Sequence, residues 1–293
     1  MSDLYENAIE LKNVTKKYDG FTLDDVSFNV PKGSIMGFIG QNGAGKTTTI
    51  RSLLNLIPIN EGEIKLLGLD YKSDEEEIKE RIAVVFDELP FHDVFNANHM
   101  AKIFAGIYKN WNNEIYTEYL DRFQLPRKKK IGKFSKGMKM KLQIACALSH
   151  NAELLVMDEA TTGLDPVVRN EILDIFLEYL QNEEHSILMS SHITSDLEKV
   201  ADSVTFIDKG KILISGYKDD ILNDHYVIKC TKGDYKDIAP EDIISARLND
   251  FGAEVMVKNY DEMKRKYSGL VFDRTTLEEI MVFYVNQRKK EWR

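Results

Sequence analysis

Residues 34–48 read SIMGFIGQNGAGKTT, and this stretch decides the fold. Its first half is a short apolar run ending in glycine, which is typical of a strand buried on both faces. Its second half fits the pattern G-x-x-x-x-G-K-[ST], with Gly40, Gly45, Lys46 and Thr47 at the fixed positions. In this pattern backbone N–H groups surround phosphate oxygens, the lysine reaches the outer phosphates and the hydroxyl holds Mg²⁺. A strand before the motif and a helix after it favour a phosphate site over an ordinary glycine-rich turn.

Other apolar runs lie further along the chain. Residues 81–86 (RIAVVF), 154–157 (LLVM) and 187–189 (ILM) are short and apolar, like strands buried in a parallel sheet. Between the last two, Asp165 is a good N-cap and Pro166 a good first residue for a helix. Strands that alternate with helices imply a mainly parallel sheet covered by helices, so the chain is predicted to be α/β.

The remaining sequence divides into an insert and a C-terminal part. Residues of about 88–150 have mostly helical periodicity and are too many for one crossover, so they predict an inserted helical subdomain. After about residue 216, residues 226–231 and 253–258 alternate like strands. We therefore predict an α/β domain at 1–216 and a small α+β domain at 217–293.

A final helix is predicted near the C-terminus, because Thr275-x-x-Glu278 resembles a capping box. Its segment 280–285 (IMVFYV) is apolar all round and must be covered on several sides. Packing on the strands of its own domain and contact with a second subunit both remain open.

Composition excludes several classes of protein. Lys and Arg number 39 against 48 Asp and Glu, and the net charge of −9 argues against nucleic acid as the main ligand. The two cysteines, Cys146 and Cys230, are far apart, so neither a zinc site nor a disulfide framework is expected. The acidic N-terminus does not resemble a signal peptide, and nowhere do about 18 apolar residues follow one another as a membrane span requires.

Two acids follow the apolar run 154–157 directly. Ligands of parallel sheets bind beyond the carboxyl ends of the strands, which is where Asp158 and Glu159 are expected. Asp158 would orient Mg²⁺, largely through water, and Glu159 would polarise the water that attacks a γ-phosphate. A solvated strand end is the alternative for the pair taken alone. His192 closes the segment ILMSSH and is expected nearby.

Taken in order, these motifs resemble the nucleotide-binding subunit of ABC transporters over about residues 1–216. The resemblance implies a P-loop NTPase fold with ATP and Mg²⁺ as cofactors, Glu159 and His192 as catalytic residues, and Thr47 and Asp158 at Mg²⁺. The ATP-binding residues that it implies within one subunit are Tyr18 (stacked on adenine), Gly40, Asn42, Gly43, Ala44, Gly45, Lys46, Thr47 and Thr48. Those that it implies from the opposite subunit are Ser135, Gly137 and Asp165.

Two segments depart from the family's common pattern. The usual signature LSGGQ is replaced by FSKGM at 134–138, which retains Ser135 and Gly137. Similar S-K-G-M versions are familiar in single-domain, exporter-type members of the ABC-2-like drug and antimicrobial-peptide branch. At the position of the Q-loop glutamine stands Asp87, a further candidate for Mg²⁺. A carboxylate lacks the amide's donor, so the coupling role of this position is open.

The resemblance implies an ATP-hydrolysing subunit that dimerises on ATP and powers a membrane exporter of peptides or drugs. Its implied partners are a transmembrane permease and a second, identical or different ATPase subunit, at the cytoplasmic face of the cell membrane, and no nucleic acid. The alternatives are a soluble ABC ATPase of translation or DNA repair and an ATP-dependent binding module with weak hydrolysis. Phe91 and Phe95 are candidates for the permease contact, with core packing as the alternative. The basic run 127–141 is either a solvated face or a field that attracts the phosphates of a second subunit.

Overall fold

The computed structural model describes residues 6–88 and 90–291, with side chains through residue 286. The strands are β1 (Asn7–Tyr18), β2 (Phe21–Pro31), β3 (Ile35–Ile39), β4 (Glu61–Leu66), β5 (Ile82–Phe86), β6 (Leu154–Asp158), β7 (Ser186–Ser191), β8 (Ser203–Asp208), β9 (Lys211–Tyr217), β10 (His225–Cys230), β11 (Ser245–Leu248), β12 (Ala253–Lys258) and β13 (Val271–Arg274). The α-helices are α1 (Lys46–Leu53), α2 (Tyr71–Arg81), α3 (Ala97–Ile107), α4 (Asn113–Arg122), α5 (Lys136–Leu148), α6 (Pro166–Tyr179), α7 (Thr194–Val200), α8 (Lys218–Asp224), α9 (Lys232–Asp237), α10 (Tyr260–Lys266) and α11 (Leu277–Glu291).

The central sheet has the strand order β5-β6-β7-β3-β8-β9. Its neighbours run parallel except for the antiparallel pair β8–β9. Strands β3, β6 and β7 are buried along their whole length, as their apolar sequences predict. The predicted α/β fold with a mainly parallel sheet is therefore confirmed. In register, Asp158 lies beside Ser190 and Ile39 beside Ser191, so the carboxyl ends of these three strands meet at one edge.

A second, antiparallel sheet has the order β2-β1-β4 and covers one face of the central sheet. Its buried side chains share a hydrophobic cluster with Ile50 and Leu53 of α1 and with Val156 and Leu188 of the central strands. Helix α1 is thus held between the two sheets. This fixes the direction in which its N-terminus points.

The insert packs on the opposite side of the central sheet. Helices α3, α4 and α5 share one core cluster with residues of the central sheet such as Val85 and Met157. The Tyr116 hydroxyl of α4 donates to Ala97 O of α3 at 2.9 Å, which joins two helices of the insert. The segment of about 88–150 contains the helices α3, α4 and α5, and its assignment as an inserted subdomain stays a prediction.

The C-terminal part forms a third sheet of order β11-β12-β10-β13, covered by helices. Helix α11 begins at Leu277, and the reciprocal bonds of its cap join Thr276 to Glu279. The capping box predicted at Thr275 and Glu278 is thus wrong by one residue. The buried side chains of α11, Ile280 and Phe283 among them, pack against α7 and β11 of the same chain.

The division at 216/217 remains our proposal; it falls one residue before the end of β9, and the third sheet begins with β10. Residues 1–5, 89 and 292–293 of the proposed segments lie outside the described residues. Within the described ranges, no helix combines the length and the apolar character that a bilayer crossing requires.

Candidate active site

The loop between β3 and α1 surrounds a cavity of about 430 Å³, a size that suits a small-molecule ligand. Two of its glycines have left-handed backbones, with φ +79° at Gly43 and +118° at Gly45. Gly45 is the N-cap of α1, so the N–H groups of the following first turn have no acceptor within the helix. The cavity is lined by Phe21, Gln41, Asn42, Gly43, Gly45, Lys46, Thr47, Thr48 and Glu159. This arrangement of N–H groups and a helix N-terminus suits an anion such as a phosphate.

We expect Gly45→Ala to lower the free energy of unfolding by about 1–3 kcal/mol, because a side chain at φ +118° is strained. The added Cβ would also lie 3.1 Å from Cζ of Phe21. Gly106→Ala is the matched control, since its Cβ meets nothing within 4 Å and alanine favours the helix α3. Denaturant unfolding measures both variants. An unchanged Gly45→Ala midpoint would contradict the strained cap.

Lys46 is buried, with 5% of its side chain exposed, and its charge is paired. Its ammonium donates to Gly40 O at 2.6 Å and lies 3.0 Å from Glu159 Oε1. Burial of an ammonium group is tolerated when an opposite charge and acceptors compensate for lost water. The lysine of the phosphate loop and the predicted catalytic acid are therefore already in contact. An entering phosphate would compete with Glu159 for this ammonium group.

Glu159 has the left-handed backbone φ of 56°, which is uncommon outside glycine. Its N–H donates to Ser190 O and Oγ at 3.2 and 3.1 Å, and these bonds hold the unusual turn. Its Oε2 accepts from Thr162 Oγ1 at 2.8 Å and lies 2.6 Å from His192 Nδ1. The structure thus brings together the two residues predicted to be catalytic, and Thr162 was missed by the sequence analysis.

The pKa of Glu159 lies below its ordinary value. Burial raises this pKa, but the hydrogen bonds from Lys46 and Thr162 and the charge of Lys46 outweigh the desolvation. The carboxylate is therefore ionised at neutral pH and lines the cavity as a proton acceptor. Its charge is lost only as the pH falls through this lowered value, so neutral pH leaves it ready to act as a base.

Asp158 is buried beside Glu159 at the end of β6. Its Oδ1 accepts from Ser190 Oγ at 2.7 Å, a contact that fixes the carboxylate at the sheet edge. Among the described residues, no group of three or more His, Cys, Asp and Glu side chains could enclose a metal ion. Mg²⁺ does not need such a cage, because it takes one or two protein oxygens together with substrate phosphates. Thr47 lines the cavity and Asp158 does not, so a Mg²⁺ ion held by both oxygens stays a prediction.

The aromatic side chain at the cavity is Phe21. Tyr18, predicted to stack on adenine, pairs with Phe21 at the closed end of the β1–β2 hairpin, is 46% exposed and does not line the cavity. The Nζ of Lys16 lies 5.1 Å from the centre of the Tyr18 ring. Stacking of adenine on Tyr18 stays a prediction. Phe21 gave no sequence signal, because its place at the cavity depends on the hairpin's position over the phosphate loop.

The residues predicted to act on the opposite subunit lie away from the cavity of their own chain. Ser135 is the N-cap of α5, with its Oγ accepting from Met138 N–H at 3.2 Å. Asp165 is the N-cap of α6 and accepts from Val167 and Val168 N–H at 3.1 Å, which confirms its predicted cap. The cavity of this chain is not lined by Ser135, Gly137 or Asp165. One described chain therefore brings together only part of the predicted set.

Asp87 does not line the cavity either. It follows β5, and its Oδ1 accepts from Lys136 Nζ at 2.6 Å. The basic run is partly paired as well, with Lys139 near Asp93, Lys141 on Glu171 and Arg127 on Asp121. A Mg²⁺ contact of Asp87 stays a prediction, and it would require this carboxylate to leave its lysine.

The proteins to which this chain is similar include ATP-binding proteins of ABC transporters. The family model described as ABC transporter matches residues 23–162. The bacitracin transport ATP-binding protein BcrA of Bacillus licheniformis is 38% identical over 208 residues, which are 70% of this chain and 68% of that protein. The ABC transporter ATP-binding protein NatA of Bacillus subtilis (strain 168) is 36% identical over 198 residues, 66% of this chain and 80% of that protein.

A solved structure described as the ATP binding subunit of an ABC transporter superimposes with a TM-score of 0.65 at 28% identity. The match covers 73% of this chain and 91% of that one. Proteins of this kind bind ATP and are ATPases in general. The phosphate loop, the paired acids and these relatives agree, and the chain belongs to the ABC transporter family as one of its ATP-binding proteins.

Proposed function

We propose that this chain hydrolyses ATP with Mg²⁺ to power export through a membrane permease, working with a second ATPase subunit. The contacts of Glu159, which lines the phosphate cavity, with Lys46 and with His192 carry the proposal. The relative named for bacitracin transport supports a peptide or drug as the exported substrate. The site of action would be the cytoplasmic face of the cell membrane, with the chain attached through its permease.

In this reaction the protein mainly positions groups and neutralises charge. Lys46 and the N–H groups of the first turn of α1 bind the phosphates. Glu159, ionised and oriented by Thr162, accepts a hydrogen bond from the water that attacks the γ-phosphorus, whose bond to the ADP oxygen breaks. His192 would contact the γ-phosphate. When bound by Thr47 and Asp158, Mg²⁺ supplies further positive charge at the phosphates.

A second subunit is part of the proposal because one chain brings together only some of the required groups. Ser135, Gly137 and Asp165 do not line the cavity of their own chain. In a head-to-tail dimer they would meet the nucleotide held by the other subunit. ATP would then join the subunits, and hydrolysis would release them, which is the motion proposed to drive the permease.

An apolar groove is the proposed contact for the permease. It encloses about 530 Å³ between α2, β5 and the C-terminal end of α3, thus between the ATP-binding part and the insert. Residues that line it include Leu54, Leu56, Tyr71, Phe86, Ile107 and Tyr108. Leu56 and Ile107 are 60% and 62% exposed and line the same groove, and contiguous exposed apolar surface is typical of contact sites.

The aromatic candidates Phe91 and Phe95 fit this role less well. Both are half-buried and pack against the main core cluster, and the rings of Phe91 and Phe104 form an edge-to-face pair with centroids 5.6 Å apart. Core packing therefore accounts for them. We propose the exposed aliphatic groove in their place.

Ile107→Asp is expected to reduce co-purification of the chain with its permease by about tenfold or more, because docking would bury a charge in an apolar contact. The chain and its partner are purified from native membranes, and the bound hydrophobic protein is quantified by mass spectrometry. Phe251→Asp is the matched control, since Phe251 is 96% exposed on the C-terminal domain, far from the groove in sequence. Equal recovery of the permease with both variants would contradict the groove.

The proposed function is tested on the same complex by measuring Mg²⁺-dependent ATP hydrolysis. Turnover that requires both Mg²⁺ and the permease supports it. ATP binding without turnover would instead favour the binding module, and turnover without any associated membrane protein would favour a soluble ATPase.

A further inference from the structure

Two of the residues that depart from the family's usual motifs, Lys136 and Asp87, contact each other. Lys136, within FSKGM, donates from Nζ to Oδ1 of Asp87 at 2.6 Å. The two side chains are 45% and 43% exposed. The aspartate side chain has no N–H donor, unlike the glutamine amide usual at this position. The ammonium group of Lys136 places a donor beside it. Lys136 and Asp87 therefore form a polar contact between the start of α5 and the residue that follows β5.

A second side chain of α5 holds the same strand end. Gln143 accepts from Phe86 N–H at 3.2 Å through Oε1 and donates to Phe86 O at 3.0 Å through Nε2. Lys136 and Gln143 are seven positions apart and so lie on the same face of the helix. Helix α5 thus holds two consecutive residues, Phe86 by its backbone and Asp87 by its carboxylate.

The contact also lies beside the strand that carries the predicted acids. In register, Phe86 lies beside Asp158, the last residue of β6. Asp87 directly follows Phe86, so Lys136 holds the residue next to this pairing. A Cβ on Gly163 would lie 3.3 Å from Lys136 Nζ, so the same ammonium group also lies close to the segment that leads from Glu159 to α6.

We propose that Lys136 is a positioning residue, which holds the Asp87 carboxylate on α5 and thereby keeps the segment after β5 aligned with the signature segment 134–138. This deepens the proposed ATPase function and rests on it. In this role Asp87 acts as the partner of Lys136. An exposed ion pair biases a conformation only a few-fold, so its effect falls on alignment and turnover and little on stability.

The test uses charge reversal in the full-length chain, with Lys136→Asp, Asp87→Lys and the double variant that carries both. Hydrogen exchange is followed in peptides covering residues 82–88, and kcat and KM for ATP are measured on the complex with the permease. Each single variant is expected to speed exchange and to lower kcat about fivefold, with KM within about twofold. The double variant, in which the opposite charges face each other again, is expected to restore both to within about twofold.

Lys139 provides the matched control, because it lies on the same helix and its Nζ is 3.6 Å from Asp93 Oδ1. Lys139→Asp is expected to leave exchange in 82–88 and kcat near wild type. Thermal unfolding of every variant checks that the chain folds.

Two results would overturn the proposal. One is unchanged exchange in Lys136→Asp, and the other is a double variant as impaired as the single ones. If the wild-type complex does not hydrolyse ATP, the proposed function fails. The exchange measurement needs no nucleotide, so it still decides whether the two residues act as a pair.

Discussion

Glu159→Gln is expected to reduce ATP turnover by about 10²–10⁴-fold while ATP still binds, because the variant removes the base but retains its shape. The amide can still accept from Thr162, which donates to Oε2 in the wild type. It cannot polarise water as a carboxylate does. Since hydrolysis is proposed to separate the subunits, nucleotide-bound dimers should accumulate in this variant.

Single-turnover kinetics with labelled ATP measures the loss, and size-exclusion chromatography with ATP and Mg²⁺ measures the dimer. Glu153→Gln is the control, because Glu153 precedes the same strand β6 at its opposite end and pairs with Arg81. It should hydrolyse ATP at the wild-type rate. Near-normal turnover by Glu159→Gln would contradict the assignment of the base.

Lys46→Ala is expected to weaken ATP binding and to lower turnover by about 10²–10³-fold, the usual cost of losing one positioned charge at a reacting group. The variant removes the buried ammonium group that lies 3.0 Å from Glu159. Without it the pKa of Glu159 should rise, because burial then acts against fewer compensating contacts. The variant would therefore bind ATP more weakly, and a smaller fraction of Glu159 would be ionised.

Equilibrium binding of a fluorescent ATP analogue and steady-state hydrolysis measure these two effects. Lys12→Ala is the control, since Lys12 forms an exposed pair with Glu10 at 3.0 Å outside the cavity and should change neither quantity. Thermal unfolding shows whether each variant is folded. Wild-type ATP affinity in a folded Lys46→Ala chain would contradict the phosphate site itself.

Local patterns predicted much of the site before any geometry was known. The phosphate loop, the acids after β6, His192 and the cap at Asp165 can each be read within a few neighbouring residues. Buried parallel strands are apolar in a continuous run, and their carboxyl ends must share one edge, so the meeting of these groups followed from the motifs. The strands β8 and β9 were missed, as was the helix α2.

Contacts between distant segments could be learned only from the tertiary structure. The pairing of Lys46 with Glu159, the approach of Phe21 to the cavity, the contact of Lys136 with Asp87 and the covering of α11 by α7 join residues far apart in sequence. Periodicity reports which side of an element is buried but not which element it meets. That choice depends on the order of the strands, in which β3 lies between β7 and β8, and on the packing of the insert and the antiparallel sheet around it.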